Sequence, residues 1–499
     1  MDDNRTQHRG AMASRPNLVL AALLAAVGCF SLMQTLVIPA MSVLAQRLHT
    51  DTATAGWLIT AFLLGGAVLT PVLSLLGDKY GHRRLLVIVL LIFLASTLGG
   101  AAAPNIGFLI AMRAVQGASM ASLPLALAIV REAMPRERIA SSFGTTAAML
   151  GGGAGIGLVL GALIIQHTSW RWMFGVEAVF IALATLMVIA WVPESPERHS
   201  KRVDVPGAVL LAGGLVALLL AITEGTKWGW LSAGVLSLFA AAVALFAVLG
   251  VVSARRSDPI LDLRHITHLP MLVTNLAALL IGVVPFFFYV LVPQLLQLPN
   301  GLPPALRPAA SYGGGLTIVQ AALLVLPSSV CVVLAGRTAH WLRGRLGARA
   351  PLAACMTLMT SGAVLTAFFH GSPTQLALWF CLIGLGAGYG YAALADLVAA
   401  LVPRREIAAG NGLNTVIRTV GSAVGSQLSV GFLQTFTVDG TPVPAEKAFT
   451  VGFWVAAALG ALGILLVGAL RIRPHHEEPT TEPTVAALAA PAPVLSNPH

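Results

Sequence analysis

Fourteen long apolar stretches run through the chain, and its lysines and arginines gather in every second gap between them. A run of about 20 mostly apolar residues spans a bilayer as a helix, because backbone N–H and C=O groups in hydrocarbon must be satisfied within the segment. The expected spans are residues 18–44, 55–76, 84–103, 107–130, 141–165, 173–192, 206–223, 231–252, 270–298, 315–335, 351–369, 375–401, 408–434 and 449–470. A membrane barrel would need short segments of alternating polarity, which this sequence lacks. Only 10% of the residues are charged, against about a quarter in soluble globular chains. The pattern specifies an all-α integral membrane protein with 14 transmembrane helices, and the lipid bilayer is its first partner.

With the N-terminus in the cytoplasm, the cytoplasmic gaps hold most of the 30 Lys+Arg. The external gaps hold Arg47, Arg171, Lys227, Arg307 and Lys447, while Arg113 and Arg418 fall inside spans. The positive-inside rule selects this orientation, in a bacterial inner (plasma) membrane with both termini cytoplasmic. The same dispersal explains the net charge of +10 without a nucleic-acid partner. The first apolar run is too long, and too poor in small residues at its end, for a cleavable signal. Cys29, Cys331, Cys355 and Cys381 lie far apart inside apolar stretches and read as small buried hydrophobes, so no metal or cofactor is implied.

Charged, proline-bearing gaps at Pro193–Pro206 and Ala254–Pro270 bracket the seventh and eighth spans. They divide the chain into a cytoplasmic tail (1–17), a six-helix half (18–192), an inserted helix pair (206–252), a second six-helix half (270–470) and a cytoplasmic tail (471–499). The last tail is rich in Pro and Ala and is expected to be disordered. The gap GRTAHWLRGRLGARAP after the tenth span loosely echoes LSLLGDKYGHRRLL after the second. Parallel repeats of six helices place a substrate site between the halves near the midplane.

Several gaps and spans carry motifs. The turn after the second span holds Ser74, Asp78, Lys79, Gly81, His82, Arg83 and Arg84, with a glycine where a tight connection needs positive φ. In the fourth span Arg113, Gln116, Gly117 and Met120 share a helical face, which should look into the protein because arginine in lipid is costly. In the fifth, Gly153, Gly157 and Gly161 recur every fourth residue, a spacing that lets helix backbones approach. No strand precedes these glycines, so they do not form a phosphate cradle.

The first of these motifs resembles the signature loop of the major facilitator superfamily, G-x-L-x-D-R-x-G-R-R, with Ser74 at its first glycine. By that resemblance Asp78, Gly81, Arg83 and Arg84 form a cytoplasmic latch that engages the start of the eleventh core helix in the outward-open state. R-x-x-Q-G at Arg113 to Gly117 resembles the fourth-helix motif of proton-coupled members. The span-five glycines resemble the antiporter motif G-x-x-x-G-P-x-x-G-G, with Leu158 for its proline and Ala162 for its last glycine. Trp170 to Phe174, and the segment holding Asn411, Asn414, Arg418, Gly421 and Gly425, are similar to the fourteen-helix drug:proton antiporters. The aspartate usual in the first helix of that subfamily is absent; Gln34 and Pro39 stand in that segment. The resemblance covers residues 18–470. It implies a major facilitator fold of two six-helix halves plus an inserted pair, acting as a monomer on protons and a small-molecule substrate.

Ionisable residues inside spans are functional candidates, and four are evident: Arg113, Glu177, Asp396 and Arg418. Asp396 or Glu177 is expected to replace the missing first-helix acid in proton coupling. Gln34, Gln116, Tyr289, Gln294, Tyr389, Tyr391 and Asn414 are the expected polar contacts of a central cavity. Asn411, Asn414, Arg418, Gly421 and Gly425 share a face that should point into the bundle. The expected function is proton-coupled export of amphipathic small molecules such as drugs or antibiotics. A carrier of one specific metabolite on the same fold, or a transport-inactive membrane sensor, are the alternatives. The spans hold no HExxH pair or nucleophile elbow, so no enzyme is expected.

Overall fold

The computed structural model describes residues 15–40, 44, 47–50, 52–194, 204–255, 268–300, 302, 304–310, 312–402, 407–441 and 443–469. The expected tails 1–17 and 471–499 lie almost wholly outside these residues. Fourteen long helical spans follow one another: α1 (Pro16–Leu36), α2 (Thr52–Tyr80), α3 (His82–Ala101), α4 (Ile106–Ala133), α5 (Arg136–His167), α6 (Arg171–Trp191) and α7 (Val205–Trp228). They continue as α8 (Ala233–Arg255), α9 (Leu269–Gln297), α10 (Ile318–Leu346), α11 (Ala350–Phe368), α12 (Pro373–Leu401), α13 (Ile407–Thr435) and α14 (Glu446–Ala469). Thirteen are long and apolar enough to cross a membrane. The other, α13, is as long as α12 but carries Asn411, Asn414, Arg418, Ser422 and Gln427, polar groups that turn inward.

Three boundaries differ most from expectation. α10 runs on past 335 to Leu346, so much of the expected basic gap after the tenth span is helical. α1 stops at Leu36, short of 44, and a 3-10 turn Ile38–Ala40 follows around Pro39, which lacks an N–H for helix bonding. α7 runs on past 223 to Trp228, so Glu224 and Lys227 are helical. Gly81, at φ 101°, makes the tight break between α2 and α3. α4 is interrupted by a 3-10 turn at Gly117–Ala121, where Pro124 removes the N–H that would reach back to Met120.

The helices pair twice in the same way. α1 packs on α5, α2 on α4, α3 on α6 and α1 on α6; in the second half α9 packs on α13, α10 on α12, α11 on α14 and α9 on α14. The halves meet along α2 with α13 and α5 with α10. Each half has its own apolar core. α7 lies against both α2 and α13, across one of the seams between halves. α8 packs on α7 and turns Leu236, Val243 and Val251 outward, as a lipid-facing helix does.

Glycines set the separation of these pairs. A Cβ on Gly157 would run into the Leu32 carbonyl and the Thr35 hydroxyl of α1, and one on Gly153 would meet the Gly28 carbonyl at 2.7 Å. The close approach lets Thr35 Oγ1 donate to the Ala154 carbonyl at 2.5 Å, and Ser31 donates to the Leu150 carbonyl. Gly161 is buried farther along the same helix. In the repeat, Gly421 and Gly425 meet the carbonyls of Leu279 and Val283 on α9. A second set on α5 faces the other half: Gly144 opposes Gly336, Gly151 opposes Val332 and Gly155 opposes Ser329 of α10.

Gly157→Leu is therefore expected to destabilise the protein by about 1–3 kcal/mol or more through overpacking. Gly250→Leu, where a Cβ meets nothing, should leave stability unchanged. Thermal unfolding of the purified variants in detergent would separate the two.

Candidate functional site

A cavity of about 860 Å³ lies between the halves. It opens at the face where α1 joins α2, α7 joins α8 and α9 joins α10, opposite the face carrying the basic turns. α2 contributes Trp57, Thr60 and Leu63; α9 contributes Tyr289 and Gln294; α13 contributes Gln427 and Gln434. α7 adds Glu224 and Lys227, the charged residues of the lining. A volume of this order suits a drug-sized molecule, with polar groups spaced along an apolar wall. Tyr289 is held edge-on to Phe380, with ring centroids 5.4 Å apart.

The basic face is closed between the same halves. Arg131 of α4 donates to the Ala399 carbonyl of α12 at 3.2 Å. Ser74 of α2 abuts Gly412 of α13, where an added Cβ would sit 2.8 Å from the serine oxygen. Gly144 and Gly336 touch backbone to backbone beside them. Among the described residues, the cavity lining lies toward the face opposite the basic turns.

Behind its α2 wall, inside the first half, lies a buried polar cluster. Arg113 is fully buried, donates to the Leu58 carbonyl at 2.9 Å and to Gln116 Oε1 at 3.1 Å, and lies 4.5 Å over the Phe62 ring. Gln116 in turn donates to Thr97 at 3.2 Å. Glu177 of α6 is also fully buried, and the Arg113 charge acts on its carboxyl. Among the described residues neither oxygen of Glu177 has a hydrogen-bond partner, and neither has Arg113 Nη2. A guanidinium and a carboxyl therefore share one buried compartment with no direct bond between them among the described residues.

In the second half Arg418 sits 5.2 Å over the Tyr391 ring, with Nη2 unpartnered. Asn414 donates to Asn275 of α9 at 3.3 Å, and Asn411 to its own Ile407 carbonyl. Asp396 pairs with Arg343 of α10 at 3.1 Å, near the basic face.

The sequence profile of the Major Facilitator Superfamily matches residues 23–331 and 300–498. The chain belongs to the Major Facilitator Superfamily. It is 30% identical to the puromycin resistance protein pur8 of Streptomyces alboniger, over 90% of this chain and 89% of that protein. It is 25% identical to the tetracenomycin C resistance and export protein of Streptomyces glaucescens, over 83% of this chain and 75% of that one. Its fold matches the crystal structure of the human organic anion transporter MFSD10 (TETRAN), with a TM-score of 0.61 at 15% identity, covering 91% of this chain and 99% of that one. This superfamily member is a multi-pass membrane transporter, not an enzyme.

Within the transporter, the sequence candidates are distributed unevenly. Tyr289 and Gln294 line the cavity described above. Gln116 is taken up by Arg113 and Thr97, Tyr391 lies under Arg418, and Asn414 holds Asn275. Tyr389 reaches Thr338 at 3.2 Å on the α10–α12 contact, and Gln34 is half-buried on α1. These five are outside that cavity's lining; four of them are engaged in side-chain contacts elsewhere in the bundle.

In the latch loop, Arg83 donates to Glu194 at 2.6 Å and to the Ile189 carbonyl at 2.8 Å, tying α3 to the end of α6. Asp78 meets His82 Nε2 at 2.9 Å, and His82 Nδ1 meets Glu132 of α4 at 2.6 Å. An imidazole can donate from both nitrogens only as imidazolium. Arg84 is exposed. The expected latch contact at the start of α13 falls on residues 403–406, outside the described residues.

Glu132, Asn275 and Glu224 escaped the sequence reading. Glu132 and Glu224 sit in last helical turns, where a carboxylate looks like an ordinary solvated end, and Asn275 is a single amide in an apolar run. Arg113→Ala should cost about 3 kcal/mol or more, because it strands buried acceptors and the neighbouring Glu177 charge. Glu177→Gln is isosteric and breaks no hydrogen bond, so its midpoint of thermal unfolding should stay close to that of the parent protein.

Proposed function

We propose that this transporter exports amphipathic small molecules across a bacterial plasma membrane by proton-coupled alternating access. Its basic face and both termini lie in the cytoplasm. The observation carrying this reading is the inter-half cavity, open at the face opposite the basic turns and closed at the basic face by Arg131, Ser74, Gly412 and Gly336. With that orientation the structure is outward-facing, the state in which an exporter releases its cargo. The relatives named for puromycin and tetracenomycin C resistance support small-molecule export.

Glu177 serves as the proton carrier. It is an unpaired carboxyl beside Arg113, whose guanidinium holds the Leu58 carbonyl in the wall of the cavity. Gaining or losing one proton there changes the net charge of a dry compartment, and in low dielectric that change acts strongly on the arginine. Arg113 transmits the change to α2, which lies on the seam with α13. Asp396 acts at the basic face as part of the Arg343 pair, which must open when the halves rock to the inward-facing state.

In inverted vesicles energised to an acidic interior, adding a transported amphiphile should release protons and dequench an amine dye. Glu177→Gln should abolish that release while the protein remains folded. Asp396→Asn should retain it at an altered rate. Proton release by Glu177→Gln equal to the parent protein would exclude Glu177 as the carrier. Silence across cationic, zwitterionic and neutral amphiphiles would favour a carrier of one specific metabolite.

A further inference from the structure

The inserted helix pair is more than a connection between repeats. α7 forms part of the cavity wall, and its last turn presents Glu224 and Lys227 to the lumen. Glu224 is only 7% exposed, yet it makes no hydrogen bond or ion pair with any described residue. Lys227, one turn farther toward the rim, is exposed and keeps its charge in water. A carboxylate facing a confined, largely apolar space is costly unless an opposite charge enters to compensate it. Trp57 and Tyr289 line the same cavity, and aromatic side chains attract organic cations.

We infer that Glu224 is the charge-recognising group of the transport cavity, and that the inserted helix thereby selects amphipathic organic cations. The inference rests on the export reading and names the substrate class of that same cavity. In this arrangement the carboxylate supplies the counter-charge, the aromatic side chains hold the apolar body, and Gln294 and Gln427 offer neutral hydrogen bonds. Selectivity for charge then resides on an element outside both six-helix halves. α7 also rests on α2 and α13, so a ligand held by Glu224 bears directly on the seam that moves when the halves rock.

The test compares binding of tetraphenylphosphonium, a permanent cation, and triphenylphosphine oxide, a neutral relative, to the purified full-length protein at fixed pH. Glu224→Gln should weaken tetraphenylphosphonium by about tenfold or more, the range expected when a charge-assisted contact is lost. Triphenylphosphine oxide should bind as before, and Glu224→Asp should restore part of the cation affinity. Equal tetraphenylphosphonium affinity in the parent protein and Glu224→Gln would overturn the assignment. So would a parallel loss of both probes, which marks a structural role. If the parent protein moves the neutral probe against protons but does not bind the cation, this inference fails and the export reading stands. If it neither binds nor moves either probe, both fail together.

Discussion

Helices in lipid gain nothing by hiding apolar side chains from one another, so this bundle depends on how closely its backbones can approach. α5 shows the constraint most fully. Gly153 and Gly157 set it against α1, while Gly144, Gly151 and Gly155 set it against α10. One helix therefore joins a half to itself and to the other half with the same device on two faces. The repeat does the first job again with Gly421 and Gly425 on α9. Contacts built from backbone and small side chains bring the helices close without interlocking long side chains.

Buried charge is the second organising feature, and its placement separates tasks. Arg113 and Glu177 share a dry compartment inside the first half, close to the cavity wall but not in it. Arg418 lies over Tyr391 in the second half, and Asp396 pairs with Arg343 near the basic face. Among the described residues, Glu224 and Lys227 are the ones that bring charge to the cavity lining. The Arg113–Glu177 cluster and the charged cavity residues thus occupy different compartments on either side of α2. The Leu58 carbonyl is held by Arg113 on one side of that helix, while Trp57 and Thr60 face the cavity beside it.

At the basic face His82 bridges Asp78 and Glu132, and Arg83 reaches α6, so the loop binds four helices of the first half, α2, α3, α4 and α6, into one unit. Between the halves, Arg131 donates to the Ala399 carbonyl and Ser74 packs against Gly412. Ser74, standing where the superfamily's loop has glycine, fills space that only a glycine on α13 leaves open.

Span number, the bundle-facing stripe of α13 and the close-packing role of Gly153 and Gly157 were legible in the sequence, because each follows from local composition or helical period. The burial of Arg113 was legible for the same reason, since a charge in a span must find protein. The partners were not. That Gln116 serves Arg113 instead of a substrate, that Arg83 holds α6, and that Glu224 enters the cavity all depend on which helices become neighbours. Pairing α7 with α2 and α13 joins positions more than a hundred residues apart, and no local pattern encodes that distance. The sequence by itself determined an all-helical, multi-span membrane protein, through the hydrophobic requirement of each span, and its motifs carried the resemblance to a transporter family. Only the tertiary structure decided which polar groups face the cavity and which are spent on packing, because that depends on helix rotation and adjacency.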